Sequence, residues 1–264
     1  MSVETITSVQ NQRVKRVVAL QQKSSERRGQ GVFVVEGLRE VERCVACGYE
    51  VETLFVCVEI AGAAVPDARG AEVVFVSAAV YDKMAYRGGT EGVLAVVRER
   101  RLGLEDLRLG EDALVVVVES VEKPGNLGAI LRSADAAGAD AVVVCDARTD
   151  VYNPNLIRAS VGTVFSVPCV VCGSEECIRF LKARGVQILT AQLQDSEVYY
   201  DADMLRSTAL VMGTESTGLT GQWREAADGH VRIPMLGVAD SLNVSVSTAV
   251  LLYEAVRQRG VAMV

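Results

Sequence analysis

The chain has a single histidine, His230, in 264 residues. Imidazole is the usual proton carrier near neutral pH, so a Ser-His-Asp relay would have to rest on this one residue. It stands in Asp228-Gly229-His230, a turn-like spot, and histidine-based acid–base chemistry is set aside. Long apolar runs are missing as well: none reaches the roughly 18 to 20 residues of a membrane span. Met1-Ser2-Val3-Glu4-Thr5 lacks the charged-then-apolar layout of a signal peptide. A cytoplasmic protein without a membrane partner is expected. The familiar nucleotide fingerprints are also absent. The apolar run Leu114–Val118 is followed by Glu119-Ser120-Val121-Glu122-Lys123-Pro124-Gly125, where a dinucleotide fold needs G-x-G-x-x-G, and no Walker A sequence occurs.

Half of the residues are hydrophobic, with valine in runs, which favours a packed globular chain of one or two domains over disorder. Seven cysteines fit a reducing compartment as small buried hydrophobes. Two pairs have CxxC spacing, Cys44/Cys47 and Cys169/Cys172. The first ends a predicted helix beside Gly48. The second lies in a valine-rich strand pattern, where positions three apart face opposite sides. Neither has the glycine-bearing turn of a zinc knuckle, so packing cysteines and no metal are expected. The net charge of −7 argues against generic polyanion binding, but its distribution is uneven. Residues 11–30 hold Arg13, Lys15, Arg16, Lys23, Arg27 and Arg28 against one acid, Glu26. That excess reads equally well as a solvated helix face or as a phosphate-contacting patch.

Two α/β halves are expected. The first, residues 1–100, has a polar helical start to about Arg28 and strand-like runs at 32–35, 54–58, 73–76 and 93–97, with a helix over 38–47. The charged segment 98–112, with two glycines, reads as a linker. The second half, 112–264, alternates apolar strands at 114–118, 141–145, 164–171, 186–190 and 209–213 with helices near 127–137, 174–184 and 243–259. Such alternation implies a parallel sheet covered on both faces.

Three segments stand at the carboxyl ends of these strands. In the first, Pro124, Gly125 and Asn126 read as a turn and helix N-cap, Leu127, Ile130, Leu131 and Ala134 share one helical face, and Arg132 projects from another. The second is Gly213-Thr214-Glu215-Ser216-Thr217-Gly218-Leu219. The third is Ile233-Pro234-Met235-Leu236-Gly237-Val238-Ala239-Asp240-Ser241-Leu242-Asn243-Val244-Ser245. Singly these are a cap, a solvated loop acid and a first-turn helix residue. In this order they resemble the three signature segments of the SpoU–TrmH family of RNA ribose 2′-O-methyltransferases, within the SPOUT superfamily. The resemblance covers roughly residues 112–260. The N-terminal part is similar, more weakly, to the RNA substrate-binding domain often fused in front, through Ile6-Thr7-Ser8 and Val34-Val35-Glu36-Gly37.

That resemblance implies a C-terminal parallel sheet closed by a deep trefoil knot, a bound S-adenosyl-L-methionine, and a homodimer whose active sites form at its interface. It implies catalytic roles for Asn126, Arg132, Glu215, Asn243 and Ser245. Gly213, Ile233 and Leu242 match positions whose backbone surrounds the cofactor. Thr214 and Ser216 depart from the residues common in the family. Arg132, whose guanidinium is a poor base, would hold a phosphate and stabilise charge on the attacking oxygen; a deprotonated base is the other reading. The size of the N-terminal domain favours ribosomal RNA, gripped by the basic segment 11–30. A transfer RNA enzyme and a non-catalytic RNA-binding protein are the alternatives.

Overall fold

A computed structural model describes residues 5–62, 65–68, 70–86, 91–214 and 217–260. The chain divides into two compact units, Met1–Arg100 with Asp150–Ser166, and Arg101–Thr149 with Val167–Val264.

The first unit runs β1 (Thr5–Ile6), α1 (Gln12–Gln22), α2 (Ser24–Gln30), β2 (Val32–Glu36), α3 (Leu38–Ala46), β3 (Val51–Val56), α4 (Val58–Ala61), β4 (Glu72–Val76), α5 (Ala78–Met84) and β5 (Val93–Arg98). Asn11 starts α1 by accepting a hydrogen bond from the Arg13 amide (2.9 Å), which satisfies an otherwise orphaned helix donor. Val14, Val17 and Leu20 recur at helical spacing and are buried against the sheet's apolar residues Val34, Val96 and Phe55. The sheet order is β1-β4-β3-β5-β2, with β5 antiparallel to both its neighbours and the other pairs parallel.

The second unit opens with a single 3₁₀ turn, Leu104–Asp106, followed by β6 (Leu114–Glu119), α6 (Pro124–Ala136) and β7 (Ala141–Cys145). The chain then contributes α7 (Pro154–Ala159) to the first unit. It continues through β8 (Cys169–Cys172), α8 (Ser174–Ala183), β9 (Gln187–Ala191), β10 (Glu197–Val198), β11 (Thr208–Met212), α9 (Gly221–Ala226), β12 (Gly229–Arg232) and α10 (Val244–Arg259). All seven strands are parallel, in the order β10-β12-β9-β11-β6-β7-β8. Every residue of β6, β7 and β11 is buried, because helices cover both faces of a parallel sheet. That is why these strands read as unbroken valine runs.

Several sequence expectations need correction. The segment read as a linker is anchored: Leu104 and Leu107 are 4% and 3% exposed and join the second unit's core. Residues 164–168 are not strand. Val164, Phe165 and Val167 are buried, but Phe165 and Ser166 amides bond back to Gly162 and Thr163 carbonyls, and the Thr163 and Ser166 hydroxyls donate to carbonyls three residues earlier. Such local bonds compete with a ladder. Phe165 instead meets the aromatic group of Phe33, Tyr49 and Tyr152 within the first unit, where Phe33 and Tyr152 stack at 4.1 Å. Asn126 is not an N-cap, since α6 begins two residues earlier at Pro124. Proline fits that first helical position, where its fixed φ suits the helix and its missing N–H costs nothing. His230 lies inside β12, with Nδ1 2.6 Å from the Thr190 hydroxyl, and not in a turn.

Candidate active site

The carboxyl ends of β9, β11 and β12 open onto a cavity of about 630 Å³. This is the expected ligand position in an open parallel sheet, and the volume is in the usual range for small-molecule sites. Its walls come from the chain just beyond each strand and from the start of α10. Gly213, Ile233 and Leu242 all line it, so the three residues assigned to cofactor binding meet in one place although they come from separate loops. Gly213 needs to be glycine. A Cβ there would fall on the backbone of Gly218 and lie 2.5 Å from the Leu219 amide nitrogen. The loop folds back on itself through an antiparallel bridge between Thr214 and Gly218, and Gly218 supplies the left-handed φ of +66° that lets it return.

The rim beside this cavity joins the first and third segments. Asn243 caps α10: its Oδ1 accepts from the Ser245 amide (3.0 Å) and from the Ser245 hydroxyl (2.6 Å). Its Nδ2 donates to Oδ1 of Asn126 (3.3 Å), 117 residues away in the first turn of α6. Helices α6 and α10 pack against each other, which sets this polar link in register. Asn126, Asn243 and Ser245 therefore form one connected polar group. Arg132 lies further along α6 with an exposed side chain, outside the apolar stripe of Leu127, Ile130, Leu131 and Ala134. No hydrogen bond joins it to that group among the described residues. Glu215, assigned to the same site, lies outside the described residues.

Two side chains that sequence reasoning passed over belong here. Gln192, just past β9, lines the cavity and donates to the Gln194 carbonyl (2.9 Å), while its buried Oε1 has no hydrogen-bond partner. A buried acceptor left unpaired costs about 1–3 kcal/mol, so it is suited to a ligand N–H. Glu119, 2% exposed at the end of β6, accepts from the Thr220 amide (2.9 Å), the Thr220 hydroxyl (2.8 Å) and the Ser174 hydroxyl (3.3 Å). It fixes the point where the Gly213 loop re-enters helix α9. In sequence Glu119 only follows the apolar run Leu114–Val118, and neither it nor Gln192 has a pattern to mark it. An amino group of a cofactor adenine, or an ammonium, matches the free Gln192 acceptor, and Gly213, Ile233 and Leu242 line the same cavity. The residues present fit S-adenosyl-L-methionine.

The basic segment of the first unit is less free than its composition suggests. Arg13 pairs with Glu72 (2.8 Å), and Arg16 with Glu52 (2.5 Å). Arg27, 4% exposed, is bonded to Asp150 (2.7 Å) and to the Leu20 and Gln21 carbonyls. Arg27 is therefore a structural residue and cannot reach RNA; its place in the binding patch is withdrawn. Lys15, Lys23 and Arg28 are exposed. The segment divides into a buried brace, two paired surface arginines and three open cations.

Comparison with known proteins adds to this geometry. The model of the SpoU rRNA Methylase family matches residues 113–253, and that of the MRM3-like substrate binding domain matches residues 11–95. The chain is similar to the 23S rRNA (uridine(2479)-2′-O)-methyltransferase of Streptomyces viridochromogenes: 34% identical over 266 residues, spanning 96% of this chain and 92% of that protein. It is similar to the solved AdoMet-bound rRNA methyltransferase from Sinorhizobium meliloti, with 33% identity, a TM-score of 0.89, and coverage of 97% of this chain and 98% of that one. A solved RNA 2′-O ribose methyltransferase is 40% identical, with a TM-score of 0.86 and coverage of 98% and 100%.

Proposed function

Because the chain belongs to the SpoU rRNA methylase family, we propose that it methylates a ribose 2′-hydroxyl of ribosomal RNA, using S-adenosyl-L-methionine held in the cavity between β9, β11 and β12. The observation that carries this reading is the meeting of Gly213, Ile233 and Leu242 in that one cavity, with the Asn126–Asn243 link at its rim. Ribosomal RNA is favoured over transfer RNA because the likeness to a 23S rRNA enzyme runs through 96% of the chain, substrate-binding part included.

When bound, S-adenosyl-L-methionine supplies a methyl group on a sulfonium, so that an O–CH₃ bond forms as the S–CH₃ bond breaks and a neutral thioether is left. The chain's own residues have the remaining tasks. Gly213 and Ile233 would offer backbone to the adenosine part, and Gln192 Oε1 an acceptor. The ribose hydroxyl must lose its proton as it attacks. The proposed task of the Arg132 guanidinium is to hold the target phosphate and stabilise the developing oxyanion. Asn126, whose amide both donates and accepts, would orient the ribose while Asn243 fixes its rotamer. Ser245, tied to Asn243, would present its hydroxyl lone pairs to a substrate or cofactor group. Glu215 would anchor the Gly213 loop.

The homodimer is part of the same proposal. Leu236, Val238, Val246 and Tyr253 are exposed on the loop before α10 and on α10 itself, and apolar surface of that kind favours a partner. The trefoil knot is proposed from the likeness in fold to the solved relatives. Lys15, Lys23 and Arg28, with Arg13 and Arg16 at the margin, are the proposed RNA contacts, and the cytoplasm is the proposed compartment. The deciding experiment incubates ribosomal RNA with the chain and isotopically labelled donor, then digests the product to nucleosides. Label in a 2′-O-methylnucleoside supports the reading. Label on a base, or none with the donor bound, refutes it.

A further inference from the structure

Cys145 ends β7, Cys172 ends β8, and Cys177 lies in the first turn of α8. The register pairs Cys145 with Cys172 across the two parallel strands, so both side chains leave the same face of the sheet. Helix α8 covers that face: Cys177 and Leu181 pack into the same core cluster as Val143, Cys145 and Val170. The three sulfur atoms lie within 4.8 Å of one another. Cys145 and Cys177 are fully buried, and Cys172 is partly exposed, so solvent reaches the group from the Cys172 side.

We propose that Cys145, Cys172 and Cys177 form a binding site for a thiophilic metal ion of the zinc class, with three thiolate ligands and a fourth position taken by water. Three sulfurs in tetrahedral disposition about 2.3 Å from zinc stand about 3.8 Å apart. The group here has to tighten by no more than about 1 Å to meet that geometry. Its frame is already fixed. Asp146, which follows Cys145 in a left-handed conformation at φ +49°, accepts from the Ser174 hydroxyl (2.5 Å) and amide (3.3 Å). Trp223 Nε1 donates to that hydroxyl (3.1 Å), and Glu119 lies on its other side. The start of α8 is thus held against the ends of β7 and β8 before any ion arrives.

Binding breaks three S–H bonds, forms three S–metal bonds and releases three protons to the buffer; no oxidant or reductant takes part. The ion would take no part in methyl transfer. It sits at the β7–β8 edge of the sheet, whereas the cavity lies at β9, β11 and β12, and methyl transfer from a sulfonium asks nothing of it. The site was hidden from spacing rules because the ligands are separated by 27 and 5 residues on three elements. Cys169, the CxxC partner of Cys172, takes no part in the group.

The test uses the full, reduced chain titrated anaerobically with cobalt(II), then with zinc. One cobalt per chain with a thiolate-to-metal charge-transfer band, displaced by zinc, is expected, together with a higher thermal midpoint and protection of three thiols from a thiol reagent. Cys172→Ser, at the least buried of the three positions, should lose the band and the midpoint rise, while Cys169→Ser should keep both. No band in the wild-type chain overturns the proposal, as does equal loss in the Cys169→Ser control. So would a band retained in Cys172→Ser, or thiols of the cluster that react as freely with zinc present as without it.

Discussion

Asn243 has two tasks that substitution can separate. Its Oδ1 caps α10 through the Ser245 amide and hydroxyl, and its Nδ2 reaches Asn126. Alanine removes both. A lost N-cap costs about 1 kcal/mol, which lowers the midpoint of a unit this size by roughly 2 to 4 °C. Serine is nearly as good an N-cap as asparagine but is too short to reach Asn126. Asn243→Ser should therefore unfold within about 1 °C of wild type while still losing the link between the two helices. One hydrogen bond of about 1 kcal/mol, if it is felt in the transition state, corresponds to about fivefold in rate. Thermal unfolding followed by circular dichroism supplies the first quantity, and single-turnover methyl transfer with labelled donor supplies the second. Should Asn243→Ser transfer methyl as fast as wild type, while Asn243→Ala slows only in proportion to its unfolding, the residue is a cap and nothing more.

Gly213→Ala sets a Cβ against the Gly218–Leu219 backbone; overpacking of this sort costs about 1–3 kcal/mol, and calorimetry should find donor affinity at least tenfold weaker with the fold retained. Arg132→Ala, on an exposed helix face, should leave donor affinity within a few fold and lower turnover by about 10² or more, the usual loss of one charge-stabilising donor; near-normal turnover would remove Arg132 from the mechanism. Reversing charge at Lys15, Lys23 and Arg28 should flatten the salt dependence of RNA binding by up to about 0.7 to 0.9 for each phosphate no longer neutralised, with stability unchanged. Arg27→Ala should behave oppositely, costing about 3–5 kcal/mol because it leaves Asp150 uncompensated in a largely buried pair; urea unfolding distinguishes the two.

The sheet of the second unit was legible because burial on both faces leaves a simple trace. Val115–Val118, Val142–Val144 and Leu210–Met212 are continuous apolar runs, and continuous runs are what β6, β7 and β11 require. The same logic failed at residues 164–168, where Val164, Phe165 and Val167 are buried but the backbone closes turns. Apolar content reports depth, and the hydroxyls of Thr163 and Ser166 decided the conformation. The short strands β1 and β10 left no trace because two residues have no period to read. Segment 150–166 could not have been assigned to the first unit from sequence at all. Among its ties there are the Arg27–Asp150 pair and the Phe33–Tyr152 stack, both formed across more than 100 residues.

The site divides along the same line. Gly213, Ile233, Leu242, Asn126 and Asn243 were singled out through the order of three segments, and the structure gathers them because β11, β12 and α10 each end or begin at the same rim. Glu119 and Gln192 carry no such order. Glu119 acts through Thr220, 101 residues away, and Gln192 is marked only by an acceptor that nothing fills. The cysteines make the same point in reverse: spacing directed attention to Cys169 and Cys172, whereas the fold joins Cys172 to Cys145 through strand register and to Cys177 through one helical turn. Local spacing identifies a site when the ligand is held by one loop. Where the ligand is held between strands, the register of the sheet decides which residues meet, and that register is a property of the folded unit.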